Sequence, residues 1–389
     1  MRILLTSDTY EPTINGVVTS LMNLQHGLKQ LGHEVRILTL SESHTTYYRE
    51  GVWYLGSLNS GTIYPGTRVL DTLARKPLKD LIRWRPEIVH SQSEFSTFIL
   101  AKRIAHVVGA PLVHTYHTLY EDYTAYFSTN ERIGRALAKL FSRIILAQTD
   151  SVIAPTSKIE HLLRSYGVDK PIEIIPSGID LRKFSANSEK ELLDAMKVRL
   201  GIPMENLVIV YVGRLAKEKN TAELIANFSS DRTDRTLLLV GDGPQRQQLE
   251  QQVASLGRKK QIIFAGMQNQ EDIPFFYRLG NVFCSASTSE TQGLSYVEAL
   301  ASGLPVLCRA DACLDGLIQN EVNGWQYHSN EEYHQYLERA FSDATLLTKL
   351  SAQARFSSAR YDRLTFAESV STVYEQLIKA RTQPYRILA

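Results

Sequence analysis

Short apolar runs alternate with longer amphipathic segments along most of the chain. The pattern begins with an apolar run at residues 3–6, a polar loop that ends at Gly16, a helical periodicity over 17–31 and a second apolar run at 35–40. This order of strand, loop, helix and strand predicts a parallel, doubly wound sheet. Ligands of such sheets lie beyond the C-terminal ends of the strands.

The same pattern recurs in two series that a change in composition separates. Further runs of the first series begin at residues 88, 111, 152 and 172. A turn and a polar, helix-prone segment at 185–199 follow, and the second series has runs at 208–212, 237–240, 262–265, 282–286 and 305–308. A chain of 389 residues is long for one domain. The sequence therefore predicts two α/β domains, 1–180 and 181–369, and a C-terminal segment 370–389.

The stretch 287–303 combines a polar loop with the start of a helix, which Gly303 is suited to end. Glu290 lies in the loop and Glu298 lies about one turn into the helix, so two carboxylates can hold different hydroxyl groups of one ligand. Gly293 lets the backbone approach closely, and the free N–H groups of the helix start favour an anion. An ordinary helix entry would show the same spacing.

A second motif follows the run at 208–212 and reads GRLAKEK from Gly213 to Lys219. Arg214 and Lys219 can both project from the loop. A guanidinium group beside an ammonium group suits a diphosphate, whose charge grows as it departs from a reacting centre. The alternative is a solvated basic turn.

Together the two motifs resemble those of family 4 of the retaining, nucleotide-sugar-dependent glycosyltransferases. The resemblance extends over nearly the whole chain and implies the GT-B fold, in which two doubly wound Rossmann-like domains face each other across a cleft. Residues 1–180 would face the acceptor and a membrane, and 181–369 would bind the nucleotide sugar. The segment 370–389 would pack back on the first domain.

Two residues of the first half acquire roles through this resemblance. Strand alternation places His114 and His117 on opposite faces, and His117 is the better candidate for a ligand site because it lies at the strand end. The resemblance implies that His117 hydrogen-bonds the transferred sugar. It also implies that Gly16, which could otherwise be part of a simple turn, approaches the donor phosphate.

Two segments indicate which subgroup of the family the chain resembles: HTYHTLYEDY from residue 114 and HSQSEF from residue 90. Both phrases resemble bacterial diacylglycerol glucosyltransferases, which add glucose from UDP-glucose to the free hydroxyl of diacylglycerol. This resemblance implies a cytoplasmic enzyme that is peripheral on the inner face of the cell membrane, where anionic lipid could stimulate it.

A basic, amphipathic segment at 131–148 could supply the membrane contact. Its basic stripe contains Arg132, Arg135, Lys139 and Arg143. A helix packed on the sheet with a solvated basic face is the alternative. A second basic cluster at 75–85 contains Trp84, a residue that suits a membrane interface. Residues 1–185 carry 21 Lys and Arg against 17 Asp and Glu, a net +4 on the half expected to meet anionic lipid.

Other global features are unremarkable. The net charge of +2 gives no argument for nucleic-acid binding. Cys284, Cys308 and Cys313 fall in or near predicted core strands without metal-ligand spacing. The N-terminal apolar run is too short for a signal peptide, and no run of about 18 apolar residues predicts a membrane span.

The implied mechanism requires neither a metal nor a cofactor. Arg214 and Lys219 would neutralise the departing UDP, Glu298 would hold the ribose, and Glu290 with the amides of Gly293 and Leu294 would position the glucose. The sequence does not decide between glucose and galactose as the transferred sugar. It also leaves open another acceptor, such as a phospholipid, a polyol phosphate or a protein. Further alternatives are a nucleotide-sugar epimerase and a non-catalytic glycan-binding subunit, and the sequence leaves the oligomeric state open.

Overall fold

The computed structural model describes residues 1–59, 68–71, 74–121, 130–185, 190–228 and 232–382. Parts of three predicted segments lie outside these residues: 122–123 of the HTYHTLYEDY phrase, 186–189 of the polar segment and 383–389 of the C-terminal segment. The chain divides into two compact units. Unit 1 contains Met1–Gly178 and the C-terminal segment from Arg363, and unit 2 contains Ile179–Asp362.

Unit 1 alternates strands and helices in the predicted manner. Its elements are β1 (Arg2–Ser7), α1 (Gly16–Gln30), β2 (Glu34–Leu40), β3 (Tyr47–Arg49), β4 (Val52–Leu55), β5 (Ser57–Asn59), β6 (Arg68–Leu70), α2 (Arg75–Trp84), β7 (Ile88–Ser91), α3 (Ser96–Val108), β8 (Leu112–Thr115), α4 (Glu131–Leu146), β9 (Ser151–Ala154), α5 (Ser157–Ser165) and β10 (Ile172–Ile174). Eight strands form one sheet in the order β10-β9-β8-β7-β1-β2-β4-β3. Among the described strands of this sheet, only β3 runs antiparallel to its neighbour.

The chain direction across this sheet reverses between β1 and β7. From β1 the chain proceeds through β2 and β4 towards one edge, and from β7 it proceeds through β8, β9 and β10 towards the other. In open parallel sheets, ligands bind beyond the C-terminal strand ends at such a switch point. The residues after Ser7 and after Ser91 therefore occupy the favoured position for a site in unit 1.

Unit 2 contains a second parallel sheet. Its elements are α6 (Leu181–Ser185), α7 (Lys190–Leu200), β11 (Leu207–Val212), α8 (Thr221–Asn227), β12 (Arg235–Val240), α9 (Arg246–Ser255), β13 (Ile262–Gly266), α10 (Ile273–Leu279), β14 (Val282–Ser285), α11 (Leu294–Ala301), β15 (Val306–Arg309), β16 (Gly324–Tyr327), α12 (Asn330–Ser342) and α13 (Ala344–Ser358). The strand order β13-β12-β11-β14-β15-β16 is that of a Rossmann sheet. Its switch point lies between β11 and β14.

Both sheets are covered on two faces, as the near-continuous apolar runs predict. In β11, for example, Val208 and Val210 belong to one hydrophobic core and Ile209 and Tyr211 to the other. All three cysteines are buried, as expected from the sequence. The predicted doubly wound α/β class is confirmed. The sequence pattern missed β16, which makes the second sheet six-stranded.

A long C-terminal helix, α14 (Arg363–Thr382), packs on α1 within unit 1. Phe366, Val370 and Tyr374 share a core cluster with residues of α1 and β1. At Gly27 the two helices lie so close that an added Cβ would be 2.6 Å from the Cβ of Ala367. Within the residues that the structure describes, no helix is both long enough and apolar enough to cross a lipid bilayer.

Candidate active site

The loop after β11 carries the predicted Gly213–Arg214–Lys219 motif and is held in place by its neighbour strand. The Gly213 N–H donates to the Val240 carbonyl at 3.0 Å, and the Leu215 N–H donates to the Asp242 carbonyl at 2.9 Å. A Cβ added to Gly241 would collide with the Gly213 carbonyl. The turn that begins at Gly241 therefore supports the motif through close backbone contact.

Arg214 is paired within its own turn. Its guanidinium group forms an ion pair with the carboxylate of Glu218, four residues later, and about one third of the Arg214 side chain is exposed. The Glu218 side chain is nearly buried. The sequence did not single out Glu218, because a spacing of four residues predicts an ion pair only on a helix and Arg214 lies in a loop. Glu218 fixes the direction of the guanidinium fork.

Lys219 connects the loop after β11 to the loop after β14. Its ammonium Nζ lies 2.7 Å from Oε1 of Glu290, and both side chains are largely buried. The Ser289 hydroxyl donates to the Glu218 carbonyl at 2.9 Å, which adds a second link between the loops. The structure therefore brings together Lys219 and Glu290, two residues that the sequence assigned to one site, at the switch point of the unit 2 sheet.

Helix α11 begins directly after Gly293 and contains Leu294 and Glu298. Gly293 has a φ of +77°, a conformation that favours glycine, and an added Cβ would lie 2.5 Å from the ring of Tyr296. Gly293 is therefore required by the local backbone itself. Its position still leaves the first N–H groups of α11 beside the loop that holds Glu290.

Glu298 lies in a protected environment inside α11. The Tyr277 hydroxyl donates to Glu298 Oε2 at 2.9 Å. Burial raises the pKa of the Glu298 carboxyl from 4.5 to about 7, against the opposing effect of that hydrogen bond. Tyr277 is a supporting residue that the sequence interpretation did not identify, because it lies 21 positions away on α10.

In unit 1, Gly16 is the first residue of α1 and follows the N-cap Asn15. The Asn15 side chain accepts a hydrogen bond from the Val18 N–H at 2.9 Å. A Cβ added to Gly16 would meet no atom within 4 Å. Packing of the protein itself therefore does not require glycine at this position.

His117 follows β8 and is half-buried near the switch point of the unit 1 sheet. Its Nε2 lies 2.7 Å from Oε1 of Gln92, the residue that follows β7. Burial and the neighbouring His114 lower the pKa of His117 from 6.5 to about 3, so the ring is neutral at physiological pH. The sequence phrase from residue 90 indicated this segment, but it did not identify Gln92 as the partner of His117.

Two carboxyl groups, those of the partly buried Asp8 and the buried Glu94, lie at the same switch point. Asp8 accepts hydrogen bonds from the N–H groups of Thr97 and Phe95, at the start of α3. Burial, with a contribution from the charge of Glu94, raises the pKa of Asp8 from 3.8 to about 6. Glu94 accepts a 2.5 Å hydrogen bond from the Tyr120 hydroxyl. Neither carboxyl group was named as a site residue from the sequence.

The predicted basic segment forms helix α4, which exposes both charged and apolar side chains. Its inward face contains Gly134, Ala138, Ser142 and Leu146. The four predicted basic residues are exposed: Arg132, Arg135, Lys139 and Arg143. Four aliphatic residues, each about half exposed, form a separate stripe: Ile133, Leu137, Leu140 and Ile144. Helix α4 therefore presents a basic stripe beside an apolar stripe.

No cluster of three or more His, Cys, Asp or Glu side chains in the described part of the chain is arranged to hold a metal ion. The chemistry that the described groups offer is electrostatic. Unit 2 supplies two cations and two carboxyl groups beyond adjacent strand ends. Unit 1 supplies a neutral imidazole and two carboxyl groups at its own switch point. Such groups can bind a polar anionic ligand and orient its hydroxyl groups.

Two family descriptions match the sequence: Glycosyltransferase Family 4 over residues 14–183 and Glycosyl transferases group 1 over residues 194–356. The chain is 33% identical over 389 residues to the α-monoglucosyldiacylglycerol synthase of Acholeplasma laidlawii, covering 97% of this chain and 98% of that protein. It is 34% identical over 338 residues to the protein of that name from Streptococcus pneumoniae, covering 85% and 76%.

Among solved structures, Anabaena HepE in complex with UDP and glucose has a TM-score of 0.77 at 18% identity, covering 97% of this chain and 100% of that chain. WaaG, a glycosyltransferase involved in lipopolysaccharide biosynthesis, has a TM-score of 0.71 at 16% identity. These similarities confirm the predicted GT-B fold. The sequence similarity extends over both units.

Proposed function

The chain belongs to glycosyltransferase family 4, and we propose that it transfers glucose from UDP-glucose to the free hydroxyl of 1,2-diacylglycerol, forming α-monoglucosyldiacylglycerol. The observation that carries the proposal is the identity of 33% to a protein named for this product, over nearly the full length of both chains. The chain also carries the four unit 2 residues that the resemblance assigns to the donor site: Arg214, Lys219, Glu290 and Glu298. This set supports an enzyme rather than a non-catalytic glycan-binding subunit.

The proposed donor site is the switch point of the unit 2 sheet. Arg214 and Lys219 would neutralise the diphosphate as its charge grows in the transition state. Glu298 would accept hydrogen bonds from the ribose hydroxyls. Glu290, with the amides of Gly293 and Leu294, would position the glucose. The 2.7 Å contact between Lys219 and Glu290 supports this division, because it places a phosphate-binding cation beside a hydroxyl-binding carboxylate.

The proposed reaction retains the configuration of the sugar. The bond between the anomeric carbon and the phosphate oxygen breaks, and the acceptor oxygen forms a bond to that carbon from the same face. The acceptor proton passes to the released phosphate, so atoms and charges balance without a side-chain nucleophile or a metal. His117 of unit 1 would hydrogen-bond the transferred sugar, as the family resemblance implies, and Gly16 would leave space for the donor phosphate.

A lipid acceptor requires contact with a membrane surface, and α4 supports that requirement. Its exposed aliphatic stripe can enter the boundary between headgroups and acyl chains. The basic stripe beside it can bind anionic headgroups, each cation contributing about 1 kcal/mol near such a surface. We therefore propose peripheral binding to the inner face of the cell membrane, with stimulation by anionic lipid.

The proposal is tested with purified full-length protein, UDP-glucose and anionic mixed micelles, with and without diacylglycerol. We expect release of UDP that depends on diacylglycerol and matches the glucolipid formed. Release that instead depends on a phospholipid, a polyol phosphate or a protein would reject the acceptor. Conversion of UDP-glucose to another sugar nucleotide without an acceptor would indicate an epimerase.

A further inference from the structure

Four side chains in unit 1 form a continuous hydrogen-bonded row from the end of β8 to α14. His117 Nε2 lies 2.7 Å from Gln92 Oε1, and Gln92 Nε2 lies 3.0 Å from His90 Nε2. His90 Nδ1 lies 2.6 Å from the Tyr374 hydroxyl. Apart from the half-buried His117, each of these residues is at most 2% exposed. The row therefore begins at the candidate site and ends in the core.

The amide of Gln92 gives this row a direction. An amide oxygen can only accept a hydrogen bond, so His117 Nε2 must carry the proton between the two residues. The amide nitrogen can only donate, and it lies 3.0 Å from His90 Nε2, which also lies 2.7 Å from the Thr115 hydroxyl. With Nε2 as the acceptor for both groups, His90 Nδ1 carries the ring proton and donates to the Tyr374 hydroxyl. The Gln92 amide therefore contacts both histidines and sets the tautomer of His117.

The position of Gln92 is itself well fixed. It is the first residue after β7, and its N–H donates to the carbonyl of Thr6 at 2.8 Å. The hydroxyl of Thr115 lies 2.7 Å from His90 Nε2 and helps to hold that ring. The backbone of Gln92 is fixed by Thr6, and its amide nitrogen is fixed by His90. Gln92 can therefore orient the imidazole of His117.

Burial keeps the two histidines of the row neutral. Burial, followed by the nearby His114 and His117, lowers the pKa of His90 well below its usual range. Burial also lowers the pKa of His117 to about 3. The carboxylate of Glu94 lies 3.2 Å from His114 Nε2 and accepts a hydrogen bond from Tyr120. A neutral His117 has one donor nitrogen and one acceptor nitrogen.

We propose that Gln92 is a positioning residue that holds His117 as the Nε2–H tautomer, so that Nδ1 accepts a hydrogen bond from a hydroxyl group of the transferred sugar. This inference rests on the proposed function, because it assigns the ligand of His117. It adds a requirement that the family resemblance does not supply. His117 must act as an acceptor towards the sugar.

The tautomer is measured directly by ¹⁵N NMR of protein labelled at histidine, since protonated and unprotonated ring nitrogens have different chemical shifts. The His117 signals are assigned by their loss in His117→Asn. We expect a proton on Nε2 in the wild type and a mixture of tautomers in Gln92→Leu. A proton on Nδ1 in the wild type would overturn the proposal, and so would a single unchanged tautomer in Gln92→Leu.

Kinetics then test the consequence for the sugar. In Gln92→Leu we expect kcat/KM for UDP-glucose to fall about tenfold, the size expected for one misdirected hydrogen bond. Inhibition by UDP, which lacks the sugar, should stay unchanged. The matched control is Gln25→Leu, which removes another buried amide that accepts from Tyr10 in unit 1. An equal loss of kcat/KM in the control would indicate a structural role only.

A second variant replaces the amide by a group of the same size. In Gln92→Glu the carboxylate still accepts from His117 Nε2–H, and its negative charge raises the pKa of the ring. We expect a new loss of kcat/KM as the pH falls, because a protonated ring cannot accept at Nδ1. A pH profile identical to that of the wild type would contradict the proposal. If the wild type glucosylates no diacylglycerol, the proposed function fails, whereas the NMR result still decides the tautomer.

Discussion

The ammonium group of Lys219 and the carboxylate of Glu290 lie 2.7 Å apart, although 71 positions separate them in the sequence. The pair spans the loops that follow β11 and β14, the two strands at which the order of the unit 2 sheet reverses. This position is the favoured ligand site of a Rossmann sheet. The contact therefore joins the two sequence motifs in one place.

Lys219→Ala should lower kcat about a hundredfold and change the affinity for UDP-glucose much less, because the cation acts mainly on charge that develops in the transition state. Lys217→Ala is the matched control, since Lys217 lies in the same turn and is exposed. Steady-state kinetics with both variants check the expectation. Near-normal turnover by Lys219→Ala, or an equal loss in Lys217→Ala, would contradict the assigned role.

Glu298 should make donor binding depend on pH. Its pKa of about 7 means that the ionised, hydroxyl-binding form becomes populated as the pH rises through 7. The affinity for UDP-glucose should therefore increase between pH 6 and pH 8. Glu298→Gln should bind about tenfold more weakly at pH 8 and lose this dependence. Titration calorimetry at several pH values provides the measurement, and a parallel pH dependence in both proteins would reject the role.

A rise in pH should lower the stability of the protein through the same carboxyl group, although it should strengthen donor binding. Its folded-state pKa is raised above the unfolded value of 4.5, so the folded protein binds more protons between pH 4.5 and 7. The free energy of unfolding therefore falls as the pH rises through this window. Relative to the wild type, Glu298→Gln should gain stability from pH 5 to pH 8. Denaturant unfolding at pH 5 and pH 8 measures the difference in the free energy of unfolding between the variant and the wild type. An equal difference at both pH values would contradict the raised pKa of Glu298.

Gly16 and Gly27 should respond differently to the same substitution. Gly16→Val should leave the free energy of unfolding within about 0.5 kcal/mol of the wild type, since the protein leaves space at this position. It should still lower kcat/KM about tenfold or more, because the side chain would displace the donor phosphate. Gly27→Val should destabilise unit 1 by about 1–3 kcal/mol through overpacking against α14. Full activity of Gly16→Val would show that Gly16 does not lie beside the donor phosphate.

The apolar stripe of α4 should govern binding to vesicles. Leu137→Ser with Ile144→Ser should weaken binding to anionic vesicles at least about tenfold, because two side chains no longer enter the lipid. Both residues are about half exposed, so stability should change little. Val198→Ser, an exposed position on α7 of unit 2, is the control. Vesicle sedimentation measures the effect, and unchanged binding would exclude α4 as the membrane surface.

Much of the fold could be predicted because parallel strands buried on both faces leave a clear sequence signal. The apolar runs at 208–212 and 282–286 correspond closely to β11 and β14, and the loops after them carry the site motifs. Strand β16 was missed because its four residues, GWQY, include a glycine and a glutamine and show no continuous apolar run. The contact between Lys219 and Glu290 depends on strand order, which the local pattern does not encode.

The exposed stripe of α4 and the role of Gln92 illustrate two other limits. Periodicity predicted an amphipathic basic helix, but it could not say whether the aliphatic residues face the sheet or the solvent. Small residues such as Gly134 and Ala138 fill the inward face, which leaves the larger side chains outside. Gln92 contacts His117 only because β7 and β8 are neighbours in the sheet.

The most direct test of the proposed reaction is the configuration of its product. Protein incubated with UDP-glucose labelled at the anomeric carbon and with 1,2-diacylglycerol in anionic micelles should form a glucolipid, which NMR of the purified lipid can identify. Retaining transfer predicts an α-linked glucosyl group on the free glycerol hydroxyl. A β-linked product, or release of UDP without any labelled diacylglycerol product, would contradict it.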